Sequence, residues 1–307
     1  MQFFRETNFD FQGKRRIAFV VSAALILFGL ISLIFHGGPK YSIDFLGGLS
    51  IRYQFEKPVT ESEIRDALTA INLGAAEVKT IKEIGGHSDI LIRVKQDETQ
   101  TDTQAIVSQA LSENFPDNPY EVRAVDRVGP RIGAELRSDA ILAVLVTLGL
   151  VLIYLWWRFE FRFGVGAIAA LFHDVVITLG IFSLLNLEIS LAIVGAFMTI
   201  VGYSLNDTIV VFDRIRENLK KHSAKPLEEV INLSINETLS RTVITSGTTF
   251  VVVLVLYLFG GQVIHDFALA LLLGVIIGTY SSMYIAAPVL LEWGKKEALN
   301  KKARARR

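Results

Sequence analysis

Apolar positions along this chain gather into six long runs separated by stretches dense in charge. The runs fall at 17–35, 139–157, 163–185, 189–211, 239–259 and 267–293, each about 20 residues long. A helix needs about that many apolar residues to cross a hydrocarbon core of roughly 30 Å. The pattern therefore predicts membrane helices at 17–36, 138–157, 163–185, 189–211, 239–259 and 267–293. They leave a cytoplasmic start at 1–16, a cytoplasmic loop at 212–238 and a basic tail at 294–307. The first run follows Lys14, Arg15 and Arg16 in the manner of a signal peptide. Its length exceeds the roughly 7–15 apolar residues usual there and no small-x-small triplet precedes His36, so it reads as a retained anchor.

The insertion at 37–137 has shorter periods. A strand is expected at 49–55, then a capping box, Thr60-Glu61-Ser62-Glu63, opening an amphipathic helix to about residue 71. Strands at 76–81 and 89–94 join across Gly85-Gly86, a helix at 102–115 carries Ile106, Val107, Ala110 and Leu111 on one side, and a strand at 120–125 closes the set. The order β-α-β-β-α-β is the ferredoxin-like arrangement. The expected fold class is an α-helical membrane protein of six spans with an inserted α+β domain of that kind.

Charge orients the spans. Arg5, Lys14–Arg16, Arg158, Arg162, Arg214, Arg216, Lys220, Lys221, Lys225 and the tail fall on one side, whereas the short connections 186–188 and 260–266 hold no Lys or Arg. By the positive-inside bias both termini are cytoplasmic and the insertion faces outward. Composition agrees, with 51% hydrophobic residues in 307, no net charge and a mean hydropathy of +0.43, too apolar for an ordinary soluble domain. The chain has no cysteine, which excludes disulfides and thiolate metal sites.

Ionisable residues inside apolar runs are costly and mark protein interiors or hydrated paths. His173 and Asp174 interrupt the third run, Asp207 the fourth, and Arg241 opens the fifth. A rise of about 1.5 Å per residue puts all of them in the cytoplasmic half, and Asp207 and Arg241 meet if the fourth and fifth helices pack together. Thr238, Arg241, Thr242, Thr245 and Thr249 follow helical spacing as a polar stripe, Ser204 lies one turn from Asp207 with Asn206 beside it, and Gly274, Gly278 and Ser282 form a small-xxx-small edge. Plainer readings stand beside these: threonines bonding the preceding turn, Arg241 snorkelling to headgroups, and a His173–Asp174 pair satisfied by a neighbouring helix. His36, His87, His222 and His265 show no ligand spacing. The cluster Asp213, Arg214, Arg216 and Glu217 reads as a solvated helix face or as a cytoplasmic contact surface.

The stretch 202–218, GYSLNDTIVVFDRIREN, resembles the signature fourth-span motif of the SecF family of bacterial protein-export membrane subunits. Ser42-Ile43-Asp44-Phe45-Leu46-Gly47-Gly48, Val128-Gly129-Pro130 and Thr238 through Thr249 match in the same order, with Tyr41-Ser42 where the family usually has a glycine before Ile-Asp-Phe. The resemblance implies a half-transporter of the resistance-nodulation-division type in the bacterial inner membrane, its insertion periplasmic, pairing with SecD in a twelve-helix bundle. It also implies work beside the SecYEG translocon, with YajC and YidC as candidate neighbours and exported unfolded preproteins as passengers. The proton-motive force would be used late in export. Asp207 and Arg241 match the residues implicated in proton passage, with Asn206, Ser204, Thr242, Thr245, His173 and Asp174 as supporting polar groups. The proton is then the coupling ion, and no cofactor, metal or nucleic acid is expected. Three rivals remain: a small-molecule exporter of that superfamily, a structural scaffold of the translocon, and an intramembrane aspartyl enzyme whose second carboxylate would have to be Asp174.

Overall fold

The computed structural model describes residues 7–82, 88–94 and 102–295. Six of its helices are long and apolar enough to cross a membrane. They are α1 (Arg15–Phe35), α5 (Pro130–Arg158), α6 (Phe161–Leu184), α7 (Leu191–Lys221), α8 (Leu227–Phe259) and α9 (Gln262–Ser281), the last running on through a π-helical turn, Ser282–Ala286, to residue 295. Between α1 and α5 come α2 (Ile43–Leu46), β1 (Gly48–Phe55), α3 (Glu61–Thr69), β2 (Glu77–Lys82), β3 (Ser88–Val94), α4 (Thr103–Asn114) and β4 (Tyr120–Val128).

The four strands form one antiparallel sheet in the order β2-β3-β1-β4, as the β-α-β-β-α-β reading requires. Alternation along β1 and β3 sends Leu49, Ile51, Tyr53, Ile90, Ile92 and Val94 to one face, where Ile64 and Leu68 of α3 and Val107 and Leu111 of α4 close the core. The expected capping box is present, with the Glu63 carboxylate accepting from Thr60 N–H at 2.9 Å and Thr60 Oγ1 accepting from Glu63 N–H at 3.3 Å. The Gly85-Gly86 turn, His87 and the tail beyond residue 295 lie outside the described residues.

The expected loop at 212–238 is corrected. Both flanking helices continue through it, and only residues 222–226 join them. Phe212, Ile215 and Asn218 recur at a spacing of three and bury against Ile231, Ser234 and Ile235, so a window average that counts the charged outer face misses a half-buried hairpin. Likewise α5 begins at Pro130, eight residues before the expected start at 138, because β4 runs through Gly129 straight into it. At about 1.5 Å per residue, α7 and α8 are on the order of 45–50 Å long and overshoot the hydrocarbon core.

The bundle has an inner set, α6, α7 and α9, and an outer set, α1, α5 and α8, whose apolar faces are open. Glycines set the closest approaches. A Cβ on Gly278 would stand 3.0 Å from the Ser204 side chain, and Gly29 of α1 meets Gly180 of α6 so closely that a Cβ on either would come within 2.7 Å of the other's Cα. The insertion docks on the bundle through a short parallel bridge in which Ile189 N–H donates to Lys40 O at 2.7 Å and Ser42 N–H to Ile189 O at 3.1 Å. Ser42 has extended backbone and caps α2, accepting from Asp44 N–H at 3.2 Å, so this position does not need the glycine usual in the resembled family.

Candidate functional site

The inner face of α7 carries Ser204, Asp207 and Thr208, all buried. Ser204 and Asp207 lie one turn apart on this face and reach different neighbours. Asp207 faces the seam of α8 and α9, where its Oδ2 accepts a hydrogen bond from Ser246 Oγ at 3.1 Å, and Thr279 Oγ1 stands 2.8 Å behind that serine. Asp207 is 4% exposed at the middle of a long helix, so water reaches its carboxylate only through the protein.

Arg241 does not meet Asp207 as an ion pair. It is exposed, and among the described residues no carboxylate lies within 4.0 Å of its guanidinium. The expected polar stripe of α8 splits in two. Thr238, Thr242 and Ser246 follow a strict spacing of four and face inward, whereas Arg241, Thr245 and Thr248 are exposed. Most of these hydroxyls bond backward along their own helix, Thr238 to Ser234 O at 3.0 Å, Thr245 to Arg241 O at 3.0 Å and Thr249 to Thr245 O at 3.0 Å. The plainer reading of the threonines is the geometric one. Ser246, which touches Asp207, carries no sequence signal that separates it from its threonine neighbours. Asn206 is exposed on the outer face of α7, together with Gly195, Thr199 and Gly202.

Ser204 reaches α6 and donates to Asp174 Oδ2 at 2.5 Å. Asp174 is 1% exposed and also receives Ser281 Oγ of α9 at 2.8 Å, while its Oδ1 lies 2.9 Å from His173 Nδ1. The other ring nitrogen, Nε2, contacts Ser22 Oγ of α1 at 3.0 Å. The carboxylate thus ties α7 and α9 to α6, and the imidazole paired with it adds α1. Ser22 is an isolated polar residue in the first span, and Ser281 sits in the short polar run Thr279–Ser282 of α9, so neither carries a local sequence signal pointing to Asp174.

The cluster beyond the fourth apolar run is a clamp within the chain. Arg214 binds Glu237 of α8 and Glu217, Asn218 Nδ2 reaches Glu237 Oε2 at 2.5 Å, and Arg158 at the end of α5 binds both oxygens of Asp213 at 2.8 and 2.6 Å. A second charge cluster, absent from the sequence reading, sits where the insertion meets the bundle. Glu188, in the connection between α6 and α7, is 8% exposed and pairs closely with Arg93 of β3, while Lys40 bridges Glu77 of β2 at 2.5 Å and Glu188 at 3.5 Å. Burial alone would raise the Glu77 carboxyl, but the Lys40 hydrogen bond and the charges of Lys40 and Lys79 carry it down to about 2. Glu188 goes the opposite way, pushed up by burial against the pull of Arg93. Beside this cluster a cavity of about 460 Å³ separates the open face of the sheet from the bundle, lined by Arg52, Lys79, Arg93, Glu188, His265 and Asp266.

Comparison with known proteins gives two family matches, "Protein export membrane protein SecD/SecF, C-terminal" over residues 106–296 and the "SecD/SecF GG Motif" over residues 32–59. The chain is 46% identical to the protein translocase subunit SecF of Rhodothermus marinus, covering 98% of both chains, and 47% identical to that of Desulfurispirillum indicum, covering 92% and 91%. Among solved structures it is similar to SecDF of Thermus thermophilus, described as a translocon-associated membrane protein, with TM-score 0.85 at 38% identity. A SecDF structure in a super-membrane-facing form gives TM-score 0.72 at 38% identity. These matches cover 94% and 99% of this chain but only 39% and 41% of those longer chains, so the chain spans about two fifths of their length.

Proposed function

The chain belongs to the SecD/SecF family of protein-export membrane proteins, and from that premise we propose that it is a transport subunit of the Sec machinery, not an enzyme, working as one half of a bundle completed by SecD. The observation that carries the pairing is the outer face of α7 and α8. Gly195, Thr199, Gly202 and Asn206 on one helix and Arg241, Thr245 and Thr248 on the other are exposed along spanning helices. Lipid accepts such a face poorly, since it offers an arginine no partner and small residues no close contact. A second helical half covers it well. SecD is that half, as the longer SecDF chains suggest, and the termini lie in the cytoplasm with the insertion in the periplasm of a bacterial inner membrane.

Within that complex Asp207 binds the coupling proton. Arg241 stands on the neighbouring helix outside ion-pair distance, so a helix shift that closes or opens the gap changes which charge state is favoured. Ser246 and Thr279 supply the hydroxyl route behind it. Proton passage biases the bundle between two packings, and the docked insertion passes that motion to a preprotein emerging from the SecYEG translocon late in export. The test is export into inverted membrane vesicles with and without a proton gradient. Asp207→Asn should assemble with SecD normally and lose the gradient-dependent stimulation, leaving the ATP-driven baseline. Full stimulation in that variant overturns the proposal.

A further inference from the structure

A chain of hydrogen bonds buried between α1, α6 and α9 fixes more about protons than any single contact in it. Tyr280 OH lies 2.8 Å from Ala18 O and 3.0 Å from Ser22 Oγ, Ser22 Oγ lies 3.0 Å from His173 Nε2, and His173 Nδ1 lies 2.9 Å from Asp174 Oδ1. Each hydroxyl has one proton to give, so the directions can be assigned from the end where chemistry leaves no choice. A carbonyl only accepts, which commits the Tyr280 proton to Ala18 O. Ser22 must then donate to Tyr280. With that proton used, Ser22 can only accept from the imidazole, so Nε2 carries a proton. The remaining contact, Nδ1 to Oδ1, is closed by one more proton lying on either atom. Asp174 Oδ2 is meanwhile held by the Ser204 and Ser281 hydroxyls at 2.5 and 2.8 Å.

We propose that His173 and Asp174 are a second proton-binding site of this protein, an imidazole–carboxyl pair that is electrically neutral in this packing and releases one proton through Ser22 and Tyr280. The release balances as a relay. The Nε2 proton passes to Ser22 Oγ, the Ser22 proton passes to the Tyr280 oxygen, and the Tyr280 proton, at a ring that is half-buried, leaves to water as the final acceptor the relay requires. Afterwards Tyr280 donates to Ser22, Ser22 donates to Nε2, and Nδ1–H faces an ionised carboxylate. The Tyr280–Ser22 and Ser22–Nε2 contacts survive with their directions reversed, the bonds to Asp174 Oδ2 are unchanged, and only the Tyr280 contact to Ala18 O is given up. The pair has given up one proton and gained one negative charge.

Nothing else charged competes at close range. Among the described residues no Lys or Arg stands within 4.0 Å of either group, and the facing side chains are Ser22 of α1, Ser204 of α7, and Ser281 and Tyr280 of α9, the last stacked on the imidazole at 5.9 Å between ring centroids. Asp207, one turn along α7 from Ser204, is turned away to Ser246. The site is therefore separate from the one assigned to Asp207.

The measurement is nitrogen NMR of the His173 ring in the full chain assembled with its SecD half in lipid, labelled at histidine and assigned by loss of the signal in His173→Gln. At neutral pH the proton is expected on Nε2, with inversion to a protonated Nδ1 and a bare, hydrogen-bonded Nε2 as pH rises. Tyr280→Phe removes the hydroxyl that holds the Ser22 proton in place, so inversion should then occur about one pH unit lower, a tenfold shift in proton affinity. Asp174→Asn offers Nδ1 an amide donor and should keep the Nε2–H form across the whole range. A bare Nε2 at neutral pH, or an inversion unmoved by Tyr280→Phe and still present in Asp174→Asn, overturns the proposal. The readout is the ring itself, so the outcome does not depend on what Asp207 does in export.

Discussion

Replacing Arg93 by methionine keeps the stem that packs on the open face of the sheet and removes the charge that holds Glu188. Alternation along β3 turns Ile90, Ile92 and Val94 into the domain core and Arg93 toward the bundle, so the loss falls on docking and not on the folding of the insertion. Breaking a buried ion pair by deleting one partner costs about 3–5 kcal/mol when the other is left uncompensated. Glu188 is not left bare, because Lys40 remains 3.5 Å away. The figure for one charge-assisted hydrogen bond, about 1.5–3 kcal/mol, is therefore the better guide, and a loss of about 2 kcal/mol multiplies the undocked population roughly 30-fold. Amide hydrogen exchange reads this directly at Ile189 and Ser42, whose N–H groups form the bridge between insertion and bundle. Both should exchange about 30-fold faster in Arg93→Met, with amides inside α7 and α9 unchanged. An effect under about threefold, or an equal acceleration throughout the bundle, would refute the idea that this ion pair fastens the two parts.

The bridge should weaken in acid: the Glu77 carboxyl sits at about 2 against an ordinary 4.5, so its contribution is complete above about 4.5 and is lost as pH falls through about 2. Glu188, raised by burial, works in the opposite sense, and Glu77→Gln should flatten the pH dependence of Ile189 exchange over that window. In the membrane, Gly180→Ala places a methyl 2.7 Å from the Gly29 backbone, which cannot swing aside as a flexible side chain would. Prising α1 from α6 should cost about 1–3 kcal/mol and lower the thermal midpoint of the purified protein, whereas alanine at Gly149, where a Cβ meets nothing within 4 Å, should leave it unchanged.

Much of this architecture was legible in the order of residues because two strong periodicities carry it. Runs of about 20 apolar residues have no other stable use than a span or a deeply buried helix, and the strict alternation at 49–55 and the short β-branched run at 89–94 leave little choice of element. The hairpin at 212–238 was hidden because its buried stripe, Phe212, Ile215 and Asn218, is narrow and flanked by Asp213, Arg214, Arg216 and Glu217, so average hydropathy reports the flanks. Within the site, helical spacing identified a polar α8 but not which of its two stripes faces Asp207. Positions 238-242-246 and 241-245-248 are both permitted by a 3.6-residue repeat, and only the neighbours chosen in folding decide between them. Glu188 and Arg93, or Ser22 and His173, are far apart in the chain and leave no mark on any local pattern.

Proton influx into sealed proteoliposomes tests the central claim most directly. The chain is reconstituted with its SecD half and followed by an internal pH indicator while an inward gradient is imposed and a preprotein engages the outer face. The account expects influx that rises on engagement, falls to the protein-free leak in Asp207→Asn, and is strongly reduced in Ser246→Ala, which removes the hydroxyl 3.1 Å from the Asp207 carboxylate. Undiminished influx in a folded, SecD-bound Asp207→Asn complex would contradict it.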